Sequence, residues 1–202
     1  MTPRLIVQQK ITAFVNKYKI LTAHADGTPA EVVGLAQQKR MALKEKVMFY
    51  SDEKRDTLAF TFRAEKVMDI HGRYFVEDAN GKLIGMFKKE FMSSVVNSTW
   101  KILDKDGNER YMVRENSMAL ALLRRFVGAI PIIGELAELL VIFFKYHFEF
   151  IDLQTSQVVA QYQKTTLWRD HYTLSTTDEI WQTEDWRIFA AMSVALDALQ
   201  SR

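Results

Sequence analysis

The side chains that could do chemistry in this sequence are few. Asp104, Asp106 and Asn108, with Glu115 further on, fall on the first, third, fifth and twelfth places of a calcium-binding loop. Such a loop needs a glycine at its sixth place, where this chain has Glu109, and helices on either side, where it alternates like strands. A hairpin turn explains the same letters. Four histidines, His24, His71, His147 and His171, form no i, i+4 pair and have no carboxylate at ligand spacing, so they read as structural or surface groups. Ser, His and Asp all occur, yet there is no Gly-x-Ser-x-Gly elbow and no glycine-rich phosphate loop. The absence of cysteine removes thiolate nucleophiles, zinc ribbons, iron–sulfur centres and disulfide scaffolds together. The expectation is a protein that is not an enzyme and holds no cofactor or metal.

Basic clusters offer a different chemistry. Lys39-Arg40 with Lys44 and Lys46, and Lys88-Lys89, read as solvated strand edges or helix faces. Arg124-Arg125 differs because it adjoins Phe126, Ile130, Ile132 and Ile133, and a basic pair beside apolar residues is how an interfacial helix grips anionic lipid. These six residues are the candidate membrane contact, and the expected partner is anionic phospholipid or a membrane surface. They belong to a stretch, Ser117 to Phe144, in which Gly128, Pro131 and Gly134 predict two short helices, about 118–126 and 134–143. Glu135 and Glu138 near its centre count against a membrane span. Aromatics among the charges would suit single-stranded nucleic acid, but their regular spacing assigns them to strands, and no nucleic-acid partner is expected.

The elements that must position these groups are bounded by composition. A chain of 202 residues with 48% hydrophobic and 26% charged residues makes one folded domain, spanning 1–202. Its 27 basic against 25 acidic residues are no nucleic-acid signature. Around Arg4 and Lys10 the N-terminus has three consecutive apolar residues and no secretory core, so the expected location is the cytoplasm, with peripheral attachment to a membrane.

A repeat organises the chain. Tyr74 to Gly81 overlays Trp100 to Gly107 without a gap, and the frame recurs at Phe148 to Asp152, at Tyr172 to Thr176 and, with a longer turn, at Tyr18 to Gly27. Lys10, Lys66 and Lys164 stand at one distance before Tyr18, Tyr74 and Tyr172. Each unit reads as a hairpin, because apolar residues two apart share a strand face and Asn80-Gly81, Asp106-Gly107 and Asp26-Gly27 suit a type I′ turn. A further hairpin fits Val47–Tyr50 and Leu58–Phe62. Ten or more strands at this spacing predict a closed antiparallel barrel or a sandwich. Ile188 to Leu196 is instead apolar on all sides, with Thr183 as its expected N-cap. A thin, wholly apolar helix must be buried all round, which predicts a helix threaded through a barrel. The fold class is therefore mainly β, a barrel of hairpin repeats around a C-terminal helix, with a helical insertion at 117–144.

These features resemble the LURP-one-related family, part of the tubby C-terminal-like superfamily that also includes the phospholipid scramblases. The matching residues are Lys66 with Tyr74 to Gly85, Trp100 to Gly107, Lys164 to Leu174, and the apolar run Ala190 to Leu199, which in that family is the helix inside the barrel. The resemblance implies a tubby-like barrel acting as a non-enzymatic binding or scaffold protein, peripheral to membranes. Scramblase-like lipid transfer, or carriage of a small apolar ligand inside the barrel, are the alternatives. Tubby-type domains bind phosphoinositide headgroups through basic surface residues, and those positions have no residue-by-residue match here. The cysteine-rich acylation site and Pro-rich tail of the scramblases are absent from this sequence.

Overall fold

A computed structural model describes residues 1–11, 15–39, 46–65, 72–90, 99–115, 147–166 and 170–200. Twelve strands run in chain order: β1 (Thr2–Ile11), β2 (Val15–Ala23), β3 (Pro29–Lys39), β4 (Lys46–Tyr50), β5 (Leu58–Ala64), β6 (Arg73–Asp78), β7 (Leu83–Glu90), β8 (Thr99–Leu103), β9 (Glu109–Glu115), β10 (His147–Asp152), β11 (Val158–Lys164) and β12 (His171–Thr176). Every strand pairs antiparallel with its neighbours in sequence, and β1 pairs β12, from Thr2 opposite Thr176 to Gln8 opposite His171. The sheet is thereby a closed barrel with no exposed edge. Helix α1 (Asp178–Thr183) and helix α2 (Trp186–Gln200) follow β12.

The repeat is a rule about which side chains face inward. In the five units the first apolar residue is Tyr18, Tyr74, Trp100, Phe148 or Tyr172, and the residue two further on is Ile20, Val76, Ile102, Phe150 or Leu174. All but Tyr74 are no more than 2% exposed, and Tyr74 packs against the same core. Lys19, Lys101, Glu149 and Thr173, which lie between them, are only partly buried, as strand alternation requires. The aromatic ribs touch around the wall: Phe49 stacks on Phe60, Tyr74 on Phe87, and Tyr162 on Tyr172.

The turns depart from the type I′ expectation. At Asp78–Lys82 the Gly81 amide donates to the Asp78 carbonyl and the Asp78 amide to Lys82, and Asp104–Asn108 repeats this pattern. The glycines stand at φ +81° and +88°, while Asn80 and Asp106 before them do not adopt positive φ. A type I′ turn needs two consecutive left-handed residues; here a right-handed turn ends in one left-handed glycine, and the ladder shifts beside each turn, after Val76 and Ile102. The Asp side chain selects this form. The Asp78 carboxylate accepts from the Asn80 and Lys82 amides, and Asp104 from Asp106 and Asn108. In β10–β11, Asp152 accepts from Gln154 and Thr155, and Ser156 takes the left-handed place.

The fifth unit is a correction. Tyr172–Thr176 leads into α1 rather than a hairpin, because its partner on that side is β1, the start of the chain. The cap is corrected as well. Thr183 is the last residue of α1, whose own cap is Thr177, and the carboxylate of Asp185 accepts from the Arg187 amide to begin α2 at Trp186.

Helix α2 lies inside the barrel. Ala190, Ala191, Met192, Ser193, Val194, Ala195 and Leu196 are 0% exposed, so no face of the helix meets water. Its residues reach β1, β2, β5, β6 and β7, Phe189 meets Tyr111 and Phe150 on β9 and β10, and Asp197 meets Tyr172 on β12. Small side chains keep the helix thin enough for the lumen, and the wall makes room in turn. A Cβ on Gly85 would sit 2.8 Å from Cδ1 of Ile188 and 3.0 Å from the carbonyl oxygen of Leu103. The Ile188 tip can turn aside, whereas the β8 carbonyl is held in the ladder. Gly85→Ala is therefore expected to cost about 1–3 kcal/mol in urea unfolding; an unchanged midpoint would show that the wall is not fitted to the helix there.

Candidate functional site

Antiparallel order sorts the connections between strands to the two ends of the barrel. The hairpin turns, α1 and the start of α2 share one end; the other connections leave from the opposite end, including 116–146 between β9 and β10. Arg124, Arg125, Phe126, Ile130, Ile132 and Ile133, the expected lipid contacts, lie in that connection, and both they and the expected helices at 117–144 are outside the described residues. So are His71 and Lys66.

The charges are sorted in the same way. The segments 24–28, 51–57, 78–82, 104–108, 152–157 and 177–187 at the hairpin end hold twelve acidic and five basic residues, leaving 13 acidic and 22 basic in the rest of the chain. A formal net charge of +2 thus conceals an acidic end. It surrounds the N-terminus of α2, where the helix dipole favours negative charge. Toward the other end exposed lysines accumulate. Lys10 stands directly opposite Lys17 on β1 and β2, and Lys46 opposite Arg63 on β4 and β5, pairings that like charge disfavours. Lys10, Lys17 and Lys46 are all exposed, whereas Arg63 is bound through two nitrogens to Glu77.

Inside the barrel at this basic end is a polar cluster that no motif announces. The Tyr18 hydroxyl donates to Asp197 of α2 at 2.9 Å and that of Tyr172 donates at 3.2 Å. The amide of Gln9 reaches the Tyr18 oxygen at 3.3 Å. Lys164, 6% exposed, pairs with Asp170 at 2.9 Å. Burial, more than any neighbour, pushes the Asp197 carboxyl up to about 6. Burial first, and then the Asp197 charge, raise the Tyr18 hydroxyl above the usual tyrosine range, so Tyr18 does not ionise in the physiological range. Among the described residues, the buried Oδ1 of Asn16, Nε2 of Gln38, Tyr162 hydroxyl and Oγ of Ser193 are among the polar side-chain atoms with no hydrogen-bond partner. The sequence signal for this cluster is slight: one acidic residue in an otherwise apolar helical run, and hydroxyl-bearing aromatics at Tyr18 and Tyr172.

Asp104 and Glu115, the first and last places of the calcium-loop pattern, lie at opposite ends of β9, about 20 Å apart at strand rise. Glu109 is held by Lys88 and Lys101, which keep its carboxyl below the usual range. Among the described residues no group of three His, Cys, Asp or Glu side chains is placed to hold a metal. His24 closes the first hairpin through its backbone. His147, half-buried at the start of β10, has its imidazole pKa lowered by burial. His171 lines an open groove of about 440 Å³ on the outer face, with Gln8, Asp26, Gln163 and Thr173. Among the described residues no helix is long and apolar enough to cross a membrane.

A family model, LURP-one-related, matches residues 32–197, from Val32 within β3 to Asp197. The chain belongs to the LURP-one-related family. No curated protein and no solved structure matches it significantly. The family match ends on Asp197 and leaves out β1 and β2, yet β1 closes the barrel and β2 supplies Tyr18 to that carboxyl.

Proposed function

We propose that this LURP-one-related chain is a non-enzymatic binding module that docks end-on to an anionic membrane surface in the cytoplasm. The observation carrying the reading is the sorting of charge between the two barrel ends. An anionic surface attracts the lysine-rich end and repels the acidic hairpin end, which orients the molecule before contact. The connection whose sequence carries Arg124 and Arg125 beside Phe126, Ile130, Ile132 and Ile133 leaves β9 and returns to β10 at the lysine-rich end. Carriage of an apolar ligand in the lumen is the weaker reading, since α2 fills the space that such a ligand would take. Scramblase-like lipid transfer has no constellation of its own here.

Vesicle flotation tests the proposal. With vesicles containing about one-third phosphatidylserine the chain is expected to float, and the bound fraction should fall several-fold between about 50 and 300 mM salt, the mark of screened surface attraction. Replacing both Arg124 and Arg125 by Glu should abolish flotation while leaving the circular dichroism spectrum unchanged. Absence of binding to anionic vesicles, or binding indifferent to the double replacement, would defeat the reading.

A further inference from the structure

From Phe189 to Leu196 the plug helix α2 presents apolar or small side chains to the barrel, and then a single carboxyl, Asp197, 9% exposed and in the last helical turn. Three features make this an awkward place for negative charge. The last turn of a helix carries the negative end of its dipole, and the last turn of α2 has no basic residue to offset it. Lys164, the cation that acts on Asp197, is paired with Asp170, whose carboxylate acts in the opposite sense. What remains is two tyrosine hydroxyls in a buried site. They satisfy the oxygens without neutralising the charge. The groups facing Asp197 are Tyr18 from β2, Tyr172 from β12, Tyr162 and Lys164 from β11, and Asp170 just before β12. Among the described residues, Gln9 of β1 and Asn16 of β2 also act on the Tyr18 hydroxyl.

We propose that Asp197 is a proton-operated latch on the C-terminal turn of the plug helix. Protonated, it accepts a hydrogen bond from one tyrosine and donates to the oxygen of the other, and so ties the turn to β2 and β12. Ionised, the carboxylate reaches water by unwinding that last turn, a short path because α2 ends three residues later at Gln200. The device sits at the lysine-rich end of the barrel, so protonation changes the order of the chain where the docking end lies.

Amide hydrogen exchange on the full-length chain, corrected for intrinsic rates, tests the latch. Protection of residues 195–199 is expected to be at least tenfold greater at pH 5.0 than at pH 7.5, with a smaller step at residues 188–191. Asp197→Asn should remove the difference between the two pH values. Equal protection of 195–199 at both pH values overturns the proposal, and so does a step of the same size along the whole helix. Should the variant fail to fold, carbon-detected titration of Asp197 in the unaltered chain decides: a midpoint above about 5 supports the latch, and one below that value overturns it.

Discussion

Phe189→Ala is expected to destabilise the protein by about 3–5 kcal/mol. The Phe189 ring sits at the point where the helix enters the lumen, 5.7 Å from the Tyr111 ring and 5.6 Å from that of Phe150. The side chain is 2% exposed. Its removal loses the transfer free energy of the ring and leaves a cavity bounded by a closed sheet. An open sheet could collapse onto such a void, whereas twelve strands hydrogen-bonded in a circle cannot shorten their circumference. For a domain of this size the loss corresponds to roughly 10–15 °C in the thermal midpoint. Tyr111 adds a secondary penalty, because its hydroxyl donates to Glu184 at 2.7 Å in the approach to α2 and is positioned by the same packing. Urea and thermal unfolding measure the change. A loss below about 1 kcal/mol would mean that the helix is not packed in the lumen as described.

The second large effect is on pH. Between pH 7.5 and about 4.5 the chain should become more stable, by about 2 kcal/mol, as the medium is acidified. Most folded proteins do the reverse, and the sign follows from Asp197. Its carboxyl binds a proton near pH 6 in the folded state, against 3.8 for the ordinary side chain. Between those values the folded chain holds more protons than the unfolded one, so a falling pH favours folding. The turn carboxylates act in the opposite sense at lower pH. Asp26, Asp52, Asp104 and Asp152 are held below the usual range by hydrogen bonds, foremost from Thr28, Asp56, Asn108 and Thr155 respectively. Their stabilisation is complete above the ordinary aspartate range and is lost as pH falls through their depressed values. The two windows do not overlap, which places the stability maximum at about pH 4–5. Chemical denaturation at a series of pH values measures this profile. Asp197→Asn should flatten it above pH 4.5 and raise stability at pH 7.5; a wild-type curve that falls steadily from pH 7 to 4.5 would remove Asp197 from the account.

Much of the architecture was legible in the residues. Alternation put Trp100 and Ile102, or Tyr18 and Ile20, on one face, and this depends only on strand geometry. The apolar run from Ile188 to Leu196 has no polar face, so burial on all sides was its only stable outcome. The turn form was less legible. Asn-Gly and Asp-Gly suit more than one turn, and the choice was made by an Asp five residues before the strand resumes, whose carboxylate caps two amides. The cap of α2 was misplaced by two residues because Thr183 and Asp185 are both good caps, and the break after α1 decided between them.

The lumen cluster and the sorting of charge depended on tertiary structure. Asp197 is 179 residues from Tyr18 and 25 from Tyr172, and no local pattern ties their hydroxyls to its carboxyl. The barrel must close, through β1 against β12, before those groups meet. Likewise the acidic residues of six separate segments form one end of the molecule only because antiparallel strands bring every second connection to the same side. The sequence by itself determined which side chains face inward, since that follows from the period of a strand or helix. The closed barrel decided which buried groups face one another, since contact there is set by the circumference and stagger of the sheet and not by distance along the chain.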